Sequence, residues 1–498
     1  MDTMIPQRPL PSKEALKQFY MHKTLTEIPK PAAVLDLAII KRHCNSMLQT
    51  IQTLGVGFRA HVKSHKVSSI SISQTSRNQA TLFPKKKKKR THRRNPHPKS
   101  PLPTNDNNEK TTELSRLQVG TSSPEINYVA STVLEIESLV PLLREFQSKG
   151  RKVNILYGIP LVPSQVSRLA LAAAELGPDS VSVMIDHPDQ IKFLDTFSRI
   201  AGFAAGVFLK VDCGYHRAGL PPRAMDKGGL FSKLEELEKT GAGRLVGIYS
   251  HSSLSYGGRN RGDALRHLRG EVEACLLALD SYAGVLPVDR ELVVSVGATP
   301  QVVAAEAVAE GDDAELEELR KFLKEPDTGA FKGRVRVELH AGNYPLLDMQ
   351  QMSTNAGGVR ERFFDEVGAY VVAGTCSVYN DGEREYPEAL VAVGTLGMGR
   401  EPCPSYKGWG VVGPWGLPTT PQRDRLYIDR ISQEHSILRW ESEDVAKKIP
   451  LSVGQTVKIY PNHACITGAM YGWYLVVDSS SDPDATKVVD VWVRWLGW

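Results

Sequence analysis

What this 498-residue sequence lacks narrows it first. No stretch approaches the ~18 consecutive apolar residues of a membrane-spanning helix, so no membrane span is expected. The N-terminus, MDTMIPQRPLPSKEALKQFY, carries no apolar core of a secretory signal, and a cytoplasmic location is expected. Cysteine is scarce. Six in so long a chain do not make a disulfide scaffold, which fits a reducing compartment. A broad excess of one charge is missing too. The formal net charge is +5, but residues 67–110 hold eleven Lys and Arg against two acids, a segment of +9, so the remainder carries −4. A nucleic-acid partner is not expected of that remainder.

What is present is ordinary globular composition, with 41% hydrophobic and 23% charged residues. The length is too great for one small core, so two domains are expected. From about residue 31, short apolar strands alternate with amphipathic helices: PAAVLDL then AIIKRHCNSMLQTIQTLG, INYVAS then VLEIESLVPLLREFQSKG, and so on to RVRVELHAG. Strand–helix alternation at this spacing predicts parallel βα units, and their number suits a (β/α)8 barrel. After about residue 346 the texture turns β-rich with Gly and Pro turns, which predicts an antiparallel β domain. The expected organisation is an N-terminal extension over 1–30, a barrel over 31–345 and a β domain over 346–498. The segment 67–110 keeps no hydrophobic period and is expected to be disordered.

Four clusters carry chemistry. In Arg59-Ala60-His61-Val62-Lys63, a strand would point Arg59, His61 and Lys63 one way. A lysine at the C-terminal end of a barrel strand, among other cations, can form a Schiff base; the alternative is a solvated basic patch. In Pro461-Asn462-His463-Ala464-Cys465, a strand would project His463 and Cys465 to one side, where both can bind a Zn²⁺; the alternative is a buried cysteine beside a turn histidine. Gly297, Ala298 and Thr299 follow one strand, and Gly342 and Asn343 follow another. Such loops can turn backbone N–H groups onto a phosphate, though ordinary turns look alike. Arg217 and Tyr249 lie in polar clusters that also follow strands; Arg217 suits a carboxylate or phenolate oxygen.

Together these motifs resemble the D-serine dehydratase and D-threonine aldolase family, pyridoxal-phosphate enzymes with an alanine-racemase-like barrel. The resemblance runs from about Pro31 to the C-terminus, interrupted by 67–110. It rests on H-V-K-S-H-K from His61, S-V-G-A-T-P from Ser295 and P-N-H-A-C from Pro461. It implies Lys63 as the catalytic Schiff-base lysine, and His61, Arg217 and Tyr249 beside the pyridoxal 5′-phosphate. It implies Gly297, Ala298, Thr299, Gly342 and Asn343 around the phosphate, His463 and Cys465 as zinc ligands, and a homodimer. The implied reaction is loss of water from D-serine, giving pyruvate and ammonia. Retro-aldol cleavage of β-hydroxy D-amino acids is the alternative, and a non-catalytic cofactor-binding protein is a third. The aldolase branch typically has Asp where Cys465 stands, which favours the dehydratase. Arg59-Ala60-His61 departs mildly from the family's R-P-H.

Without residues 67–110 the flanks join as SHK-TTELSRLQVG, which resembles the uninterrupted family pattern. The leading expectation is a translated intron. Val67-Ser68 can be encoded by GTAAGT, Lys110 can end in AG, and the segment is a whole number of codons. A nuclear-localisation or nucleic-acid-binding run, KKKKKRTHRR, is the second reading, and a neutral spacer is the third. Transcript reads that continue unspliced across the Val67 codon would end the intron reading.

Overall fold

Eight parallel strands close into a barrel. They are Gly57–His61, Glu125–Ala130, Lys152–Pro160, Val181–Ile185, Ala205–Lys210, Gly243–Tyr249, Leu292–Val296 and Val335–Ala341. The computed structural model describes residues 11–68, 113–287, 289–311, 313–326, 329–413 and 424–497. The last barrel strand pairs with the first, Glu338 beside Gly57 and Ala341 beside Ala60, which closes the ring. Val181–Ile185 and Leu292–Val296 are buried at every position, so they read as continuous apolar runs. Helices such as Leu37–Leu54 start and stop on local chemistry. Asp36 accepts from Ala38 N at its start, and Gly55, at φ 65°, takes the left-handed end position.

The second unit is a ten-stranded sheet, drawn mostly from residues 369–494 and mostly antiparallel. One of its strands corrects the sequence reading. Ala32–Asp36, expected to begin the barrel, pairs antiparallel with Ala369–Tyr379 and parallel with Trp473–Val477. Its side chains explain the mistake. Ala33 and Leu35 join the barrel's core, while Val34 joins the sheet's core, so the strand is apolar on both faces like a barrel strand.

The expected disordered segment is also corrected at its start. Val67–Ser68 pairs antiparallel with Asp490–Arg494. The rest of it, residues 69–110, lies outside the described residues. Within the N-terminal extension, helix Lys13–Tyr20 packs on that same strand, with Lys17 Nζ 2.7 Å from Asp490 Oδ1. No helix among the described residues is long and apolar enough to cross a membrane.

A polar core fills the barrel below the site. Arg59 does not join Lys63 on one face; it is 2% exposed and pairs with Glu338, Nε to Oε1 at 2.6 Å. Its Nη1 donates to Asn154 Oδ1 at 2.7 Å. Glu338, 0% exposed, also accepts from Asn127 and Ser295. Breaking a buried pair strands the remaining charge, which costs about 3–5 kcal/mol. Arg59→Met should therefore lower the unfolding free energy by about that amount in urea. An unchanged midpoint would contradict this account of the barrel interior.

Candidate active site

The C-terminal ends of the barrel strands open onto a small cavity. Strand Gly57–His61 stops at His61, and Lys63 follows it in a turn rather than on the strand. The turn is tightly held. Lys66 N donates to Val62 O, Lys66 Nζ lies 2.8 Å from the buried Glu135, and Ser64 Oγ donates to Gly342 O at 2.7 Å. Trp495 N donates to Lys66 O at 2.6 Å, tying the turn to the second sheet. Lys63 is exposed toward the cavity it lines, beside His61 and Ser64. His61 Nε2 lies 3.0 Å from Ser131 Oγ. Burial first, and Lys63 second, keep His61 well below the usual histidine range, hence neutral.

The opposite wall combines two loops. Gly297, at φ 137°, takes a backbone conformation that suits glycine, and a Cβ there would stand 2.4 Å from His340 O. The next residues start helix Thr299–Ala309, and Ala298 offers it no side-chain cap. Pro300 contributes no N–H there, and Gln301 N and Val302 N both donate to Ala298 O. Gly342 packs on His61, where a Cβ would lie 3.3 Å from the His61 Cβ. Asn343 N donates to Thr299 Oγ1 at 3.1 Å, which joins the two loops. Asn343 Nδ2 donates to Asp348 Oδ2 at 2.6 Å, and its Oδ1 is buried without a partner. Two glycine-lined loops at an uncapped helix start fit a phosphate.

The third wall comes from the second unit. His463 and Cys465 do not sit together on a strand as expected. Strand Thr456–Pro461 ends before them, His463 is the residue preceding helix Ala464–Ala469, and Cys465 is in its first turn. The turn still brings both to the cavity. Burial alone would lower the His463 pKa, but the Cys465 sulfur and Asp348 outweigh it and hold it at about 9. His463 Nδ1 is buried without a hydrogen-bond partner. An imidazole and a thiol at an open cavity suit a zinc ion with positions left for other ligands. Among the described residues, no group of three or more His, Cys, Asp or Glu is arranged to hold a metal.

Lys63, His61, Thr299, Gly342, Asn343, His463 and Cys465 thus share one cavity. Gly297 and Ala298 lie directly before Thr299 on its loop. Two expected residues stand apart. Arg217 is exposed and does not line the cavity; it donates to His251 O at 3.2 Å. Tyr249 is 3% exposed and stacks on His340, centroids 4.3 Å apart, beneath the cavity. The cavity instead adds His251, Tyr256 and Gln351. His251 Nδ1 lies 2.6 Å from Gly297 O, so that nitrogen carries the hydrogen. Burial, then Arg217 and Lys63, depress His251 to about 3. Its place after a barrel strand was the available signal; Tyr256 and Gln351 offered none.

Comparison with known proteins agrees with this architecture. Residues 368–477 match the family described as "Putative serine dehydratase domain". Residues 143–314 match "Alanine racemase, N-terminal domain". A D-serine dehydratase of Schizosaccharomyces pombe is 31% identical over 98% of this chain and 96% of that protein. Among solved structures, D-threo-3-hydroxyaspartate dehydratase from Delftia sp. HT23 has a TM-score of 0.64 at 22% identity, covering 96% of this chain and 100% of the other. A variant of a D-threo-3-hydroxyaspartate dehydratase solved "in the metal-free form" has a TM-score of 0.65 at 21% identity, covering 96% and 100%.

Proposed function

We propose that this chain, which belongs to the D-serine dehydratase family, eliminates water from D-serine to give pyruvate and ammonia. The observation that carries the proposal is the convergence of three distant motifs, at 61–64, 299 with 342–343, and 463–465, on one cavity. Lys63 would hold pyridoxal 5′-phosphate, with its phosphate at Gly297, Ala298, Thr299 and Gly342. His463 and Cys465 would hold Zn²⁺. Bound there, the cofactor supplies an electron sink for the α-carbon and the metal a Lewis acid for the hydroxyl oxygen.

The chain's own residues then have separable tasks. The Lys63 amine removes the α-proton. His61 and His251, both kept neutral, add polar contacts without adding positive charge beside Lys63. Arg217, exposed and bonded to the backbone of the cavity residue His251, would meet an incoming carboxylate outside the cavity. Tyr249 acts from below, as the support on which His340 stacks. The six cysteines are all free thiols, consistent with a cytoplasmic enzyme, and a homodimer is the assembly the resemblance suggests.

The test uses the full chain and a version joining Lys66 to Thr111, each assayed for pyruvate from D-serine with zinc and cofactor present. Pyruvate from the joined version supports the proposal. Cleavage of D-threonine faster than D-serine elimination in both versions would replace it with the aldolase reading.

A further inference from the structure

The side chain of Asp348 is hydrogen-bonded to two of the three motifs at the cavity and to the helix that carries Gln351. It is 0% exposed. Its Oδ1 accepts from Gln351 N at 2.9 Å, capping helix Met349–Thr354. Its Oδ2 accepts from Asn343 Nδ2 at 2.6 Å and from Ala464 N at 2.9 Å. Ala464 lies between His463 and Cys465, and Asn343 lies on the loop beside Thr299. One carboxylate oxygen therefore fixes both the loop expected to hold the cofactor and the turn expected to hold the metal. No Lys or Arg pairs with Asp348 among the described residues; the charged group facing it is His463.

We propose that Asp348 is a positioning residue shared by the two sites, and that zinc and pyridoxal phosphate therefore each tighten the binding of the other. This rests on the cofactor and metal assignments above. A ligand that orders the Asn343 loop also fixes Oδ2, so the 463–465 turn has less freedom left to lose when the metal binds; the reverse holds equally. Only a carboxylate serves here. Each of its oxygens accepts, whereas an Asn at this position must turn an N–H₂ group against either Gln351 N–H or the pair formed by Asn343 and Ala464.

The test measures binding rather than turnover, on the purified full chain. Zinc affinity is read by competition with a chromophoric chelator, with and without pyridoxal phosphate. Cofactor affinity is read by absorbance titration, with and without zinc. In the unaltered chain each ligand should tighten the other about 5-fold or more. In Asp348→Asn, zinc affinity should fall about 10–100-fold, and the mutual enhancement should vanish while the thermal transition stays cooperative. Should that variant fail to fold, Asn343→Ala should keep the zinc affinity of the cofactor-free protein yet lose the enhancement. An unaltered chain that binds both ligands independently overturns the coupling alone. So does a folded Asp348→Asn with undiminished enhancement, or Asn343→Ala with undiminished enhancement. An unaltered chain that binds no zinc overturns the metal assignment and this inference with it.

Discussion

Lys63→Ala should remove the visible absorbance of bound pyridoxal phosphate and lower pyruvate formation from D-serine by at least about 10⁴-fold. The magnitude follows from two losses at one atom. The Nζ of Lys63 is the group that would bond the cofactor covalently and also the base that takes the α-proton. Removing a positioned base alone typically costs up to about 10⁴-fold, and loss of covalent attachment adds to that. The fold should survive. Lys63 is exposed in its turn, while Ser64 and Lys66 carry the hydrogen bonds and ion pair that hold it. An unchanged thermal transition with no visible band is the expected pattern. A variant that keeps the band and turns over D-serine at the original rate would eliminate Lys63 from the mechanism.

Stripping the metal should have the second largest effect. Prolonged chelation, or Cys465→Ala, should reduce kcat for D-serine about 10²–10³-fold, the range expected when a Lewis acid worth several kcal/mol is lost. At saturating cofactor the visible absorbance should remain, because Lys63 and not the metal-binding pair would bond the cofactor, even where its affinity falls with the metal gone. Zinc should restore the chelated enzyme but not the Cys465 variant. Hydroxide is a poor leaving group, so the deficit should shrink for a substrate with a better one, such as β-chloro-D-alanine. Full activity in rigorously zinc-free protein would end the Lewis-acid role.

The parts legible in the sequence were those set by local spacing. The strand–helix alternation predicted the closed barrel, and the Gly/Pro-punctuated β texture predicted the second sheet. The loops of Thr299 and Gly342 could be picked out because each follows a strand directly, and Lys63 and His463 by their spacing from His61 and Cys465 on an expected strand. What escaped depends on partners far away in the chain. Ala32–Asp36 is apolar on both faces, and only its pairing with residues 369–372 and 475–477 assigns it to the second sheet. Arg59 shares strand parity with His61, but Glu338, almost 280 residues later, draws it downward into the barrel. Asp348 looks like an ordinary helix-capping residue until Ala464 is folded against it. His463 and Cys465 were read as strand neighbours; a helix start brings them together equally well, and spacing alone does not separate the two.

The path of Ala32–Asp36 also bears on the order in which the protein can be made. This strand leaves the ribosome more than 300 residues ahead of its sheet partners, at 369–372 and 475–477. Barrel strands from Gly57 to Ala341 can find their neighbours while synthesis continues; Ala32–Asp36 has none until residues 369–477 emerge. During that interval it is an apolar strand with unpaired edges, the kind of segment that recruits other chains. The two units are therefore not separable by one cut. A truncation after the barrel leaves a sticky strand behind, and a second unit expressed alone lacks a central strand. An independently folding second unit would have to carry residues 32–36 with it, supplied in the same chain or as a peptide.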